Sequence, residues 1–117
     1  KRQPAVAARV LQAYREKFDS QASADSIRAV VGLAHAYDLV HLIALAADQA
    51  NSLSAPAVAE ALENISGYAG LIKHYQQPFT RERHDALYAD DYFMAVYNQQ
   101  GGLTPFTMNT LAAGDGQ

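Results

Sequence analysis

Hydrophobic positions at the start of the chain recur with the spacing of a helix. Between residues 4 and 18, apolar side chains return every three or four positions, which predicts an amphipathic helix with Tyr14 in the core. Pro4 favours a helix start, because the first turn does not use its missing N–H. Residues 19–26 are small and polar and predict a loop. The recurring apolar residues are Val6, Val10, Leu11, Tyr14 and Phe18.

A second helix is predicted to begin between Ser26 and Ala34 and to run to about Gln49. It is apolar nearly all round, and a helix of that kind is expected to be buried. No uninterrupted apolar run reaches the roughly 18 residues that cross a bilayer, so no membrane span is predicted. Four residues that could carry chemistry interrupt its first turns. They are His35, Tyr37, Asp38 and His41.

The pattern changes after a short third helix. Ser54 is its predicted N-cap, and Pro56 follows in the first turn. Strand-forming residues then predict strands near 70–75 and 92–98, with a short extended piece at 103–106. Residues 78–91 are charged and are expected to form a loop with one helical turn, and 107–117 a flexible tail.

Three helices with two or three strands predict a fold of the α/β or α+β class. So few strands cannot cover a helix that is apolar nearly all round. A part of the second helix is therefore expected to be buried by something outside this chain.

Composition removes several classes of function. The 117 residues are half hydrophobic and carry a formal net charge of -3, so no basic stripe for nucleic acid is predicted. The absence of cysteine removes thiol catalysis and thiolate zinc sites. The chain begins Lys1-Arg2-Gln3-Pro4, without an initiator Met or a signal peptide, and is expected to be cut from something longer.

No arrangement of residues predicts an enzyme, a cofactor or a metal site. There is no Ser-His-Asp order, no Gly-rich phosphate loop and no spaced pair of catalytic carboxylates. His35, Asp38 and His41 follow at three-residue intervals, but the outer two lie roughly 120° apart round a helix. One shared metal ion is therefore disfavoured.

The order of the segments resembles a known family. It runs "AARVLQAYREKF", "AHAYDLVHLIALAADQAN", "APAVAEALENISGYAGLIKHY" and "DDYFMAVYNQQGGLTPF". Over about residues 5–106 this is similar to the carboxyl-terminal part of extracellular solute-binding proteins of ABC importers, of the branched-chain amino acid (leucine/isoleucine/valine) type. The matching positions are Tyr14 with Phe18, Ala36, Tyr37, Asp38 and Val40, Val58, Ala61 and Leu62, Gly67 and Gly70, Phe93 to Tyr97, and Gly101 and Gly102.

The resemblance implies a fragment of a type I periplasmic-binding-protein fold, in which two α/β lobes close like a clamshell on a ligand. Residues 1–106 would form the carboxyl-terminal segment of such a domain. The implied function is capture of amino acids or related small carboxylates or amides in the periplasm for import. The implied partners are that small-molecule ligand, the membrane permease subunits and the missing remainder of the same polypeptide, with no nucleic acid.

The start of the second helix is the implied ligand site, with Gly32, Leu33, His35 and Tyr37 facing the cleft. Helix amino termini favour anionic groups such as a carboxylate. Relatives commonly carry an aromatic residue where this chain has Gly32-Leu33-Ala34, which leaves room for a bulkier ligand. The segment "KHYQQPFTRERHDALYADD" is also longer and more charged than in relatives.

Other interpretations stay open at this point. Tyr37 and Asp38 could make only structural hydrogen bonds. The charged loop is a solvated surface, a lip over the cleft or a contact for the importer. The whole chain could also be a ligand-sensing domain of the same fold in a receptor or regulator, or a small helical interaction module.

Overall fold

The computed structural model describes residues 3–107, which form three helices and two small antiparallel sheets. The predicted mixed α/β class is confirmed at this level. The helices are α1 (Pro4–Lys17), α2 (Val30–Ala50) and α3 (Ala55–Asn64), and a single 3-10 turn spans Ala89–Asp91. The strands are β1 (Tyr68–Ala69), β2 (His74–Tyr75), β3 (Ala95–Tyr97) and β4 (Leu103–Pro105).

Helix α1 has the predicted bounds within one residue but packs loosely. Pro4 lies in its first turn, and the Phe18 N–H closes the helix on the Tyr14 carbonyl at 2.9 Å. None of its residues is buried. The prediction that Tyr14 belongs to the core is wrong: it is half-buried, and its ring contacts Phe18, which is 76% exposed.

Helix α2 ends at a left-handed residue. Asn51 has a φ of 46° and its N–H reaches the carbonyls of Ala47 and Asp48. Asparagine tolerates this conformation better than most residues because its short side chain can bond locally. The turn directs the chain back, and α3 starts after Ser54, the predicted N-cap, whose side chain makes no capping hydrogen bond.

The core lies between α2 and α3. Leu42 and Ala46 of α2 are packed against Ala61 of α3 and Ile65, which follows α3, and all four are buried. Helical spacing explains the set, because residues four apart lie on one face of a helix. Partly buried apolar residues surround this cluster: Ala50, Val58, Leu62, Tyr68 and Phe79.

The prediction that α2 is a buried helix is wrong for the part of the chain described. Only Asp38, Leu42 and Ala46 are buried on it, because α3 and the β1–β2 hairpin cover a single side. The expectation that the chain's own elements leave part of α2 uncovered is confirmed for residues 3–107. The exposed apolar residues of α2, each 44–64% accessible, are Val31, Leu39, Val40, Ile43 and Leu45.

The same helix is long and apolar enough to cross a membrane by length and composition. It has 21 residues, and an 18-residue window reaches a mean hydropathy of 1.6. The sequence prediction was based on uninterrupted apolar runs and did not identify this helix as a candidate span. Isolated polar residues interrupt the run but leave the mean hydropathy of the window high. Core helices of soluble proteins pass the same test.

The first predicted strand is wrong in its centre. Gly70–Lys73 form the turn between β1 and β2, with the Gly70 N–H donating to the Lys73 carbonyl at 2.9 Å. Tyr68 lies opposite Tyr75 across this hairpin. The hydrophobic run Leu71-Ile72 imitates a strand in sequence but lies in the turn.

The second predicted strand is shorter than expected, and the extended piece after it is confirmed as β4. Val96 pairs with Thr104 in an antiparallel hairpin. Asn98 organises the turn by accepting the Gly102 N–H at 2.7 Å, and Gly101 has a φ of 81° that favours glycine. The helical turn predicted between the sheets is also confirmed, at Ala89–Asp91.

The molecule is extended. Its radius of gyration is 17.3 Å and its dimensions are 58 × 35 × 21 Å. A compact domain of 100 residues has a radius of about 13 Å. The fold is therefore elongated for its length. The tail predicted at 107–117 lies, apart from Thr107, outside the described residues.

Candidate functional site

A buried carboxylate on α2 holds the β1–β2 hairpin. Asp38 is 2% exposed, and its Oδ1 accepts the Leu71 N–H at 2.5 Å. Its Oδ2 accepts the Ile72 N–H at 2.9 Å and the Tyr75 hydroxyl at 3.0 Å. Three donors therefore compensate the removal of this carboxylate from water. We call these four residues the Asp38 junction.

Gly70 lets the turn approach the carboxylate this closely. A Cβ atom at Gly70 would lie 2.6 Å from Asp38 Oδ2, so any larger residue displaces the turn or the aspartate. Tyr68 stacks on Tyr75 with ring centroids 5.9 Å apart. The tyrosine pair and the glycine thus fix how the hairpin lies on α2.

The junction also raises the pKa of both tyrosines. Burial, followed by the charge of Asp38, raises the pKa of Tyr68 from 10.0 to about 12. The same causes raise the pKa of Tyr75, whose hydroxyl also donates a hydrogen bond to the carboxylate. The folded state therefore holds both phenol protons more tightly than the unfolded chain does.

The Tyr75→Phe substitution is expected to reduce stability and its dependence on alkaline pH. Loss of one hydrogen bond to a charged group lowers the free energy of unfolding by about 1.5–3 kcal/mol near neutral pH. The stability linked to the raised tyrosine pKa values is complete below pH 10.0 and falls as the pH rises toward about 12. That fall is expected to be smaller in Tyr75→Phe. Urea unfolding over a series of pH values measures both effects.

Tyr97→Phe is the matched control, because Tyr97 is 75% exposed. Its free energy of unfolding is expected to stay within about 0.5 kcal/mol of the unchanged protein. Equal alkaline slopes in the unchanged protein and in Tyr75→Phe would contradict the role of Tyr75.

Two of the four predicted ligand residues share a groove. Leu33 and Tyr37 line an apolar opening between α1 and α2, with a volume of about 410 Å³. On its α1 side lie Tyr14 and Phe18. The Tyr37 hydroxyl accepts a hydrogen bond from Arg9 Nη2 at 3.0 Å, which links the two helices.

The other two predicted residues do not join this groove. Gly32 is exposed, and nothing lies within 4 Å of where its Cβ would be. His35 is exposed, with its Nδ1 2.8 Å from the Val31 carbonyl oxygen. Two residues rotate a helix by about 200°, so His35 lies roughly opposite Leu33 on α2.

Comparison with known proteins adds no family. No family model, curated protein or solved structure matches this chain. The resemblance to solute-binding proteins therefore rests on the sequence segments quoted above.

A second cluster of polar contacts lies in the charged segment after β2. Lys73 pairs with Asp91, which also accepts the Tyr88 N–H at 2.8 Å. The hydrogen bond from Lys73 and then that from Tyr88 hold the pKa of Asp91 below its usual range. Arg83 donates to the backbone carbonyls of Gln77, Pro78 and Asp85 and so shapes the loop.

Most of these contacts could not be predicted from the sequence. Asp38 was considered for structural hydrogen bonds and makes them, but in the third turn of α2 and with partners more than thirty residues away. The available signal was the spacing of Tyr68, Gly70 and Tyr75, two aromatic residues around a glycine turn. The contacts of Lys73 and Arg83 had no local signal, because their partners are set by the loop.

Proposed function

We propose that this chain is part of a two-lobed solute-binding protein of an ABC importer, which captures an amino acid or a related small carboxylate or amide. The observation that carries the proposal is the uneven cover of α2. One side is held by α3 and the Asp38 junction, whereas Leu39, Val40 and Ile43 are 49%, 64% and 51% exposed. A lobe built on a β-sheet would cover those residues. The order of segments along the chain, which resembles that of the family, supports the same proposal.

The start of α2 is the proposed place of ligand contact. In the described part of the chain its N-cap, Ala29, makes no side-chain capping hydrogen bond, and the first N–H groups of a helix have no partner within the helix itself. A ligand carboxylate suits that position because of the helix dipole. Open space at Gly32 and the partly buried Leu33 and Tyr37 supply an adjacent surface.

Capture would follow from closure of two lobes. Contacts that a ligand makes with both lobes exist only in the closed state, so ligand shifts the population toward closure. The closed form would then be presented to the permease subunits at the membrane, from the periplasm. A freestanding helical module is disfavoured by the elongated shape and by the small core between α2 and α3.

A thermal-shift screen of the protein that carries this segment tests the proposal. The compounds are amino acids, aromatic acids, amides and urea. A ligand at 100 times its Kd contributes about 2.7 kcal/mol, which raises the Tm of a domain of 150–250 residues by about 5–10 °C. A screen in which no compound raises the Tm would contradict capture of these solutes.

Gly32→Leu tests the position of the ligand. A side chain fits there in the structure, so the variant is expected to keep or slightly raise the Tm without ligand. It is also expected to remove most of the ligand-dependent rise, because the side chain fills the proposed contact. Gln49→Leu, at the other end of α2, is the control and should retain the full rise.

A further inference from the structure

A recess formed by the β2 strand and the charged loop has the residues of an anion site. Its volume is about 340 Å³, at the lower end of the roughly 300–1,000 Å³ typical of small-molecule sites. Lys73 and Arg83 both line it, and among the described residues no Asp or Glu does.

The two cations are held close together around one aromatic ring. Lys73 Nζ lies 5.4 Å from the centroid of the Tyr88 ring, and Arg83 Cζ lies 4.6 Å from it. Attraction between a cation and a ring face helps to fix both groups. The Lys73 side chain is only 20% exposed, so dissolved salt screens its charge less than that of a surface lysine, and Asp91 pairs with it on one side.

Both cations keep donors that their internal partners do not use. Arg83 has five N–H groups, and three are donated to carbonyls through Nη1 and Nη2, which leaves Nε–H and one N–H on Nη2. Lys73 donates one of its three N–H groups to Asp91. The carbonyls that bind Arg83 hold its guanidinium in place, which reduces the ordering that a ligand would impose.

We propose that this recess binds a small anion through a carboxylate or phosphate group. Arg83 and Lys73 would bind the anionic oxygens, since guanidinium and ammonium groups form charge-assisted hydrogen bonds with both kinds of group. Gln76, Gln77 and Thr80 also line the recess and offer polar groups to the rest of the molecule. The site is separate from the start of α2 and does not depend on the proposed function.

The test is a titration of the full chain with acetate and with inorganic phosphate at constant ionic strength, followed by heteronuclear NMR. We expect saturable changes in the amide signals of residues 73–88. In Lys73→Gln the Kd is expected to rise by about fivefold or more, which corresponds to roughly 1 kcal/mol. Tighter binding of acetate would assign a carboxylate ligand, and tighter binding of phosphate a phosphate-bearing one.

Two variants separate a bound anion from general charge effects. Arg81→Gln removes the same charge from the same loop but outside the recess, and its Kd is expected to match the unchanged protein. Lys73→Gln also removes the ion pair with Asp91. Lys73→Arg keeps the positive charge and is therefore expected to keep anion binding. Signal changes that do not saturate, or equal Kd values in Lys73→Gln and Arg81→Gln, would overturn the site. Loss of binding in a folded Lys73→Arg protein would also overturn it.

Discussion

Replacing Asp38 with alanine is expected to lower the free energy of unfolding by about 3–5 kcal/mol and to release the β1–β2 hairpin from α2. The substitution leaves the N–H groups of Leu71 and Ile72 and the Tyr75 hydroxyl without their acceptor. Each buried donor without a partner costs about 1–3 kcal/mol, and the three effects overlap. Urea unfolding gives the total, and amide exchange at residues 71 and 72 gives the local loss.

Asp48→Ala is the control for this prediction. It removes the same charge from the same helix, but Asp48 is exposed and its carboxylate makes no hydrogen bond in the described structure. Its effect is expected to stay within about 0.5 kcal/mol. If both alanine variants unfold with equal free energies, the hairpin is not held by the carboxylate. Asp38→Asn should also be destabilised, because one acceptor oxygen becomes a donor facing other donors.

Replacing Ile43 with aspartate is expected to destabilise the protein that carries this segment by about 3 kcal/mol or more. Under the proposed function, a sheet from the rest of the polypeptide covers this face of α2, and an unpaired charge would be buried there. In residues 3–107 alone, Ile43 is 51% exposed, and a charge in water is tolerated. The measurement therefore reports whether this face is covered.

Leu53→Asp is the matched control for Ile43. Leu53 lies in the turn between α2 and α3 and is 90% exposed, so a charge there should change the stability by less than about 0.5 kcal/mol. Equal, small effects of Ile43→Asp and Leu53→Asp would contradict the covering sheet. That result would contradict the inference from the exposed face of α2 on which the proposed solute-binding fold rests.

The helices could be predicted because their signals are local. Pro4 and Ser54 mark the starts of α1 and α3. The last residues of α1 and α2 were accordingly predicted within one residue, whereas the start of α2 was predicted only to lie between Ser26 and Ala34. The prediction that all of α2 is buried was wrong, because composition reports how apolar a helix is and not which segment covers it.

The strands and the junction depend on distant partners and were harder to predict. Leu71 and Ile72 look like strand residues, yet their N–H groups bind Asp38 from a turn. A pattern of hydrophobic residues cannot show that a carboxylate more than thirty positions earlier takes the place of a strand partner. The same limit explains why Arg83 was assigned only to a charged loop: its acceptors are backbone carbonyls, which every sequence has.

Within residues 3–107, buried contacts are concentrated in α2, α3 and the β1–β2 hairpin. Helix α1 buries no residue, and all three residues of β3 are exposed, whereas α2, α3 and the hairpin share one core and one buried carboxylate. Regions with few buried apolar contacts open at lower free energy than the rest of a protein. Helix α1 and the β3–β4 hairpin are therefore expected to open at lower free energy than the part of the structure that the Asp38 junction and the α2–α3 core hold together.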